Sequence, residues 1–449
     1  MFHAASDGLE GRLATGRSIS AYIGFDPSGP WLHIGHLVPI FGLIQLQRHG
    51  GRPIALVGGG TGMIGDPSGR SSERNLLSRE RLEANVASIR PQLERFLDFD
   101  GPLAARMVNN LDWLEPIRLL DFLRDVGKHF TIPYMLAKDS VQTRLEGGLS
   151  FTEFSYMLIQ ATDYQHLHRS LGVELQMGGA DQWGNITAGL ELIRRTASEA
   201  ERAGEADIAQ PGDAERQGGA TAGAEVRGAG AEAVPAGDSS SPHAYALAYP
   251  LLLSPSGAKF GKSESGDSVW LHPDGTTPYA FYQHWLNTDD RDVPTYLRWF
   301  TTFEPAQIES LDAALAAAPG RREAQRALAA DITSRVHGAS ASEQAQADSE
   351  ALFGLEPLLD PTVLARLHAG TRGFEVTLAD GLTSAAALAD AGVVASRGEA
   401  RRLIQNGGLT INGEPIRDQS APMPTPIGGE YWDVRIGKRR REIGRVKRT

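Results

Sequence analysis

His33-Ile34-Gly35-His36 opens an apolar helical run directly after a Pro/Gly/Ser turn, within AYIGFDPSGPWLHIGHLVPIF (21–41). A helix start offers unpaired N–H groups and the positive end of a dipole, which suits a nucleotide phosphate. His33 and His36 add side-chain donors where charge grows on an attacked phosphate. Gly35 lets a base or ribose approach the backbone. Two histidines on a surface helix is the alternative, and the motif alone does not decide between them.

Four further segments carry chemistry. Lys259-Phe260-Gly261-Lys262-Ser263 puts two lysines on a Gly/Ser-rich loop that can reach a triphosphate. It lacks the Walker spacing, and by itself it also reads as an exposed basic turn. The glycine run 58–65 follows a strand-like segment and leads to Asp66, Arg70 and Arg74. Asp66 suits an ammonium group, the arginines suit phosphate, and the glycines let the loop move. Tyr156, Gln160 and Asp163 align on one face of an otherwise apolar helix. That stripe has no Lys, Arg or Glu, so a lined pocket competes with a solvent-facing side. In Gln176-Met177-Gly178-Gly179-Ala180-Asp181-Gln182-Trp183-Gly184-Asn185 a strand delivers a glycine pair, then an acid and an amide open a helix. Asp181 suits an N-cap and equally a pair of ribose hydroxyls.

The elements that must position these residues alternate. Strand-like runs at 19–25, 53–58 and 173–177 are interleaved with helical runs at 35–49, 80–96, 153–171 and 181–195. That predicts an α/β fold, a Rossmann-like parallel sheet with helices on both faces and ligands at the carboxyl ends of strands. Residues 204–242 are rich in Ala, Gly, Glu and Pro and predict a disordered insertion. Residues 277–300 and 305–337 predict an all-α module, 339–380 helix plus linker, and 381–449 a small α+β unit. In the last, a basic helix at 396–406 precedes a strand and an Asn412-Gly413 turn.

The chain has 449 residues, enough for two or three domains, and no cysteine. Disulfides, thiolate zinc and a cysteine nucleophile are excluded, and a reducing cytoplasm fits. No apolar run is long enough to span a bilayer, and the first residues have no signal-like core. Net charge is −11, but residues 381–449 hold twelve Lys or Arg against seven Asp or Glu. An acidic body with a basic end, steepest over 437–449, points to a localised polyanion contact, or else to a solvated basic tail.

Taken together, the five segments resemble the bacterial tyrosyl-tRNA synthetases, class I enzymes, collinearly over about residues 18–337 apart from the insertion. The resemblance implies a role for each matching position. Tyr22 and Asp163 bracket the substrate phenol. Asp66, Tyr156 and Gln160, with Thr61, hold the α-ammonium, and Gln176 and Gln182 orient the carboxyl end. Gly24, Asp26, Gly35, Gly179 and Asp181, with His36, contact ATP. Ser28, His33, Arg70, Arg74, Lys259, Lys262 and Ser263 serve its phosphates. Residues 396–413 resemble a small ribosomal-protein-type RNA-binding domain, whose helix presents Arg397, Arg401 and Arg402 to phosphates. Arg70 stands where the family often has lysine, Ser28 where threonine is frequent, and the insertion is foreign to it.

The activity so implied joins tyrosine to ATP, releases pyrophosphate, and passes tyrosine to the 3′-terminal adenosine of tRNA(Tyr). Mg²⁺ is expected with ATP and no structural metal. The expected organisation is a cytoplasmic homodimer without membrane contact. Its catalytic domain spans 1–273, its helical tRNA-contacting domain 274–338, its linker 339–380 and its RNA-binding domain 381–449. Three rivals are weighed. The Tyr22/Asp163 pair and the basic domain count against a tryptophanyl-tRNA synthetase. The lysine loop joined to a helical module counts against a small-molecule nucleotidylyltransferase. The intact signatures count against a noncatalytic RNA-binding relative.

Overall fold

The computed structural model describes residues 2–66, 68, 77–145, 148–208, 243–251, 268–354, 356–371, 373–437 and 440–447. They fall into two units, residues 1–30 with 39–251, and residues 31–38 with 252–449.

The first unit is built on a sheet of β1 (Ala4–Ala5), β2 (Ser20–Phe25), β3 (Arg52–Val57), β4 (Arg106–Asn109), β5 (Leu175–Gly179) and β6 (Tyr245–Tyr249). The order is β1-β6-β5-β2-β3-β4, and only β1 runs antiparallel to its neighbour. β3 is buried from Pro53 to Val57, as expected of an apolar run covered on both faces. The chain steps outward through β2, β3 and β4, then returns to the far side of β2 as β5. That reversal is a topological switch point, where open α/β sheets leave a crevice at the strand ends. Here Tyr22 and Gln176 are register partners.

Helices α1 (Leu9–Ala14), α2 (Leu37–Arg48), α3 (Arg79–Leu93), α4 (Leu111–Leu114), α5 (Leu119–Asp125), α6 (Ile132–Leu136), α7 (Asp139–Leu145), α8 (Phe151–Leu171) and α9 (Trp183–Ile208) complete that half of the chain. α8 starts where Ser150 Oγ accepts from the Glu153 N–H and stops at left-handed Gly172. Met157, Leu158 and Ala161 of α8 pack with Ala188 and Leu192 of α9. α9 runs on into the expected insertion as far as Ile208, through Ala- and Glu-rich residues that favour helix. Residues 209–242 lie outside the described residues.

In the second unit α10 (Pro278–Leu286), α11 (Val293–Phe300), α12 (Pro305–Ala317), α13 (Glu323–His337) and α14 (Ala339–Phe353) form a bundle around Phe281, Trp285 and Phe300, all fully buried. α15 (Pro361–Thr371), α16 (Ser384–Asp390) and α17 (Arg397–Gln405) follow. They accompany a sheet of β7 (Phe374–Val376), β8 (Leu409–Ile411), β9 (Glu414–Pro415), β10 (Tyr431–Ile436) and β11 (Arg440–Val446), in the order β7-β11-β10-β8-β9. β8 and β9 join through Asn412 (φ 54°) and Gly413 (φ 85°), the positive-φ pair that a two-residue hairpin turn requires. The expected linker 339–380 is thus largely folded. α14 extends the bundle, Leu364 and Leu367 of α15 are buried, and β7 joins the second sheet ahead of residue 381.

Candidate active site

Among the described residues, the buried polar atoms without a hydrogen-bond partner include Tyr22 Oη and Gln176 Oε1. Their residues are side by side on β2 and β5, at the switch point. Tyr164 makes the contrast. Its ring lies 5.4 Å from that of Tyr22, but its hydroxyl donates to the Tyr245 carbonyl at 2.7 Å and accepts from the Tyr245 N–H. Burying a hydroxyl without a partner costs about 1–3 kcal/mol, so the Tyr22 phenol marks a place shaped for a polar group from outside the chain.

Asp163, on the Tyr156 face of α8, is 1% exposed. Its carboxyl is pushed up to about 7 by burial, against the pull of the Asn110 and Trp113 donors, and the charge of Asp26 adds to the rise. Asn110 Nδ2 donates to Oδ2 at 2.9 Å and Trp113 Nε1 to Oδ1 at 2.8 Å. Among the described residues no cation forms an ion pair with this acid. Burial, with the nearby Asp163 charge, also raises the Tyr22 phenol well above its ordinary value. A phenolic O–H brought between Tyr22 and Asp163 can donate to the acid and accept from the tyrosine.

The polar lining continues from there. Asn110 is fully buried and fully used: its Oδ1 accepts from the Gly60 N–H at 2.7 Å, and Nδ2 also donates to Thr61 Oγ1 at 3.0 Å. Thr61 donates to Asp26 Oδ1 at 3.2 Å, and the Tyr156 hydroxyl meets Asp26 Oδ2 at 3.4 Å. A Cβ on Gly58 would stand 2.4 Å from Thr61 Oγ1 and 2.5 Å from Asp26 Oδ1, so only glycine fits. Asp26 therefore joins residues expected at the α-ammonium. Asp66, 7% exposed, accepts from Gln182 Nε2 at 2.6 Å and from the Ser68 N–H at 2.9 Å. Asn185 Nδ2 donates to Gln160 Oε1 at 3.0 Å, and Gln160 Nε2 meets Gln182 Oε1 at 3.4 Å. The stripe of α8 thus faces a cluster of polar side chains and not solvent. Gln182 sits with Asp66 and Gln160, whereas Gln176 sits beside Tyr22.

The imidazole pair belongs to the second unit. Residues 32–34 pair with 269–271: the Ile34 N–H donates to the Val269 carbonyl at 2.9 Å and the Leu271 N–H to the Leu32 carbonyl at 2.8 Å. His33 caps the turn by accepting the Gly35 N–H on Nδ1 at 3.0 Å, and His36 Nδ1 accepts the His33 N–H at 3.1 Å. Both Nδ1 atoms are acceptors, so both rings carry their proton on Nε2. Burial, with its neighbour His33, drives His36 down to about 3, and burial lowers His33. The pair is neutral at physiological pH and donates N–H groups, not full charge.

Gly24 and Ser28 are exposed at and just beyond the end of β2. Gly179 is the N-cap of the short turn 180–182 that leads into α9 and Asp181 lies within that turn; a Cβ on Gly179 would stand 2.6 Å from Asp181 Oδ1. Arg70, Arg74, Lys259, Lys262 and Ser263 lie outside the described residues.

The family model for class I tRNA synthetases (W and Y) matches residues 14–354. Across its whole length the chain is 46% identical to the tyrosine–tRNA ligase of Anaeromyxobacter dehalogenans, with 97% of that relative covered. The chain belongs to the class I tyrosine–tRNA ligase family. The synthetase is also 42% identical to the tyrosine–tRNA ligase of Geobacillus stearothermophilus, over 97% of this chain and 94% of the relative. It shares its fold with a C-terminally truncated mitochondrial tyrosyl-tRNA synthetase of Aspergillus nidulans, at 27% identity and TM-score 0.63, over 79% of this chain and 91% of that one. An S4 domain matches residues 386–422.

On that S4 domain Arg397, Arg401 and Arg402 are all exposed on α17, with Arg397 paired to Asp390 at 2.8 Å. The basic end of the synthetase is not simply a solvated tail: β11 runs through it and Arg441 is turned inward. Sequence reasoning missed Asn110 and Trp113, which hold Asp163, and assigned no role to Asn185, which holds Gln160. The available signal was an Asn109-Asn110 pair directly after a strand, where ligand-facing side chains collect in such folds.

Proposed function

We propose that this synthetase selects tyrosine through the phenol-sized gap between Tyr22 and Asp163, activates it with ATP, and charges tRNA(Tyr). The observation that carries this reading is the unpartnered Tyr22 hydroxyl beside a buried, uncompensated acid. Asp66, Gln160 and Tyr156, with Thr61 and Asp26, receive the α-ammonium. Gln182 reaches the carboxyl end. Gln176, in register with Tyr22, serves the phenol side. In the first step a tyrosine carboxylate oxygen bonds to the α-phosphorus of ATP as the bond to pyrophosphate breaks. The nucleophile is already ionised, so no general base is needed and catalysis is alignment plus charge stabilisation. The Nε2–H donors of His33 and His36 suit that task, joined by Ser28, Arg70, Arg74, Lys259, Lys262 and Ser263. Gly24, Gly35, Gly179 and Asp181 hold the nucleoside. In the second step the ribose hydroxyl of the terminal adenosine attacks the tyrosyl carbonyl and AMP leaves.

Among the described residues no three His, Asp or Glu side chains converge to hold a metal. We therefore place Mg²⁺ on the ATP phosphates, where it neutralises charge. We assign activation to residues 1–273 and tRNA contacts to 274–338 and 381–449. A homodimer is supported by Leu119 (71% exposed), Leu120 (77%), Ile132 (58%) and Phe151 (78%), apolar side chains between β4 and the body of α8. No helix among the described residues can cross a membrane, and we place the enzyme in the cytoplasm.

Single-turnover adenylate formation tests the roles. His33→Ala or His36→Ala should lower the rate about 10²–10³-fold with little change in tyrosine affinity. Loss of tyrosine affinity at full rate would contradict the assignment. Light scattering should return a dimer at micromolar concentration.

A further inference from the structure

The sheet that bears the S4 match is covered on both faces. On one, Trp432 and Val434 of β10 pack with Leu388 of α16 and Ile404 of α17 as the domain's own core. On the other, Tyr431 and Ile443 pack with Leu364 and Leu367 of α15, against Leu352 of α14 and Leu358. That second face also holds Asp433 and Arg441, whose side chains are 0% and 3% exposed. Arg441 Nε lies 3.0 Å from Asp433 Oδ1, in ion-pair contact. The rest of the guanidinium leaves the domain. It donates to the Ala351 carbonyl, in the last turn of α14, and to the Glu356 carbonyl. Asp433 Oδ2 accepts from the Leu358 N–H at 3.0 Å. Arg441 thus caps the C-terminus of the final bundle helix, satisfying a carbonyl that helix geometry leaves unpaired and meeting the negative end of its dipole. A second pair repeats the join: Arg366 of α15 grips Asp348 of α14 with contacts of 2.7–2.9 Å, and Asp348 is 3% exposed.

We propose that Arg441 and Asp433 are positioning residues for tRNA charging, a buried clasp that fixes the RNA-binding sheet to the helical bundle. The inference rests on the reading that Arg397, Arg401 and Arg402 contact tRNA. An apolar layer alone would hold the two parts together. The charged pair adds a single register, since Arg441 is tied to two carbonyls outside the sheet and Asp433 to one N–H, and neither ion has a second seat. Two tRNA-contacting regions held on one body bind by effective concentration, and that advantage falls when one region swings freely on a chain.

The test compares tyrosine-dependent ATP–pyrophosphate exchange with tRNA charging in the full-length chain. Asp433→Asn and Arg441→Met should each raise the tRNA KM about tenfold, with exchange and charging kcat unchanged. Arg366→Gln should raise it less. A merely structural clasp would lower the melting temperature and leave the tRNA KM alone, which overturns the proposal. If Asp433→Asn unfolds the small domain, its tRNA KM will match that of a chain ending at residue 353. Arg366→Gln, which keeps the sheet intact, then decides: a raised KM supports the clasp and an unchanged one overturns it. An Arg401→Glu/Arg402→Glu variant separates the two ideas. If its tRNA KM is normal, the contact reading fails and the proposal with it. If its KM rises while the clasp variants stay normal, the clasp alone fails.

Discussion

Asp163 and Asp433 are both 1% exposed, and burial raises both. They differ in what faces them. Asp433 has a guanidinium at 3.0 Å in ion-pair contact and a backbone N–H on Oδ2, so its charge faces a cation within the chain, although Oδ1 accepts no hydrogen bond among the described residues. Among the described residues Asp163 has two neutral donors, no cation, and an unpartnered phenol as neighbour. A buried acid that the fold has finished with is structural, whereas one left partly unanswered marks where a ligand completes the hydrogen bonding. The same contrast divides the tyrosines: Tyr164 is satisfied and Tyr22 is not.

That comparison can be broken in order of expected effect. Asp433→Ala strands a buried arginine and should cost ~3–5 kcal/mol in thermal or urea unfolding, with the tyrosine KM of exchange unmoved. Asp163→Ala should reverse the pattern. Tyrosine affinity should fall by ~2–4 kcal/mol, ATP affinity should hold, and stability should drop less than in Asp433→Ala, because removing a buried acid without an ion-pair partner offsets the cost of the two donors it strands. Equal stability losses in the two variants would erase the distinction.

The pH dependence sharpens it. Burial raises the folded-state value of Asp163 from 3.8 to about 7. The folded chain therefore favours the protonated acid, and this group's stabilising contribution is lost as pH rises through about 7. A ligand phenol that donates to the carboxylate needs the ionised form, so tyrosine affinity should weaken as pH falls below about 7. Asp163→Asn should flatten the profile, and a flat wild-type profile would contradict the assignment. The smallest effect expected is that of Trp113→Phe. It removes one donor to Asp163 and should raise the tyrosine KM by ~1–2 kcal/mol, read in the same exchange assay.

Much of the pocket was legible. The stripe Tyr156, Gln160, Asp163 was readable because it has no Lys, Arg or Glu on an otherwise apolar helix. The β–α alternation placed the sheet, since strand and helix periods differ. Asn110 and Trp113 escaped because they sit at the start of the four-residue α4, too short for any periodic signal. The segment 339–380 read as helix plus linker because its large buried apolar residues, Leu364, Leu367, Phe374 and Val376, are few and widely spaced. Arg441 was hidden for another reason: within a run of basic residues, sequence cannot say which one turns inward, and only the pairing of β10 with β11 decides it.

The measurement closest to the central claim is ATP–pyrophosphate exchange with each of the twenty amino acids in turn. The Tyr22/Asp163 pocket predicts exchange with tyrosine alone, because phenylalanine leaves two buried polar groups unpaired. Rejection of phenylalanine on this ground is already known for tyrosyl-tRNA synthetases as a class. Exchange with tryptophan, or equal exchange with phenylalanine, would contradict the pocket.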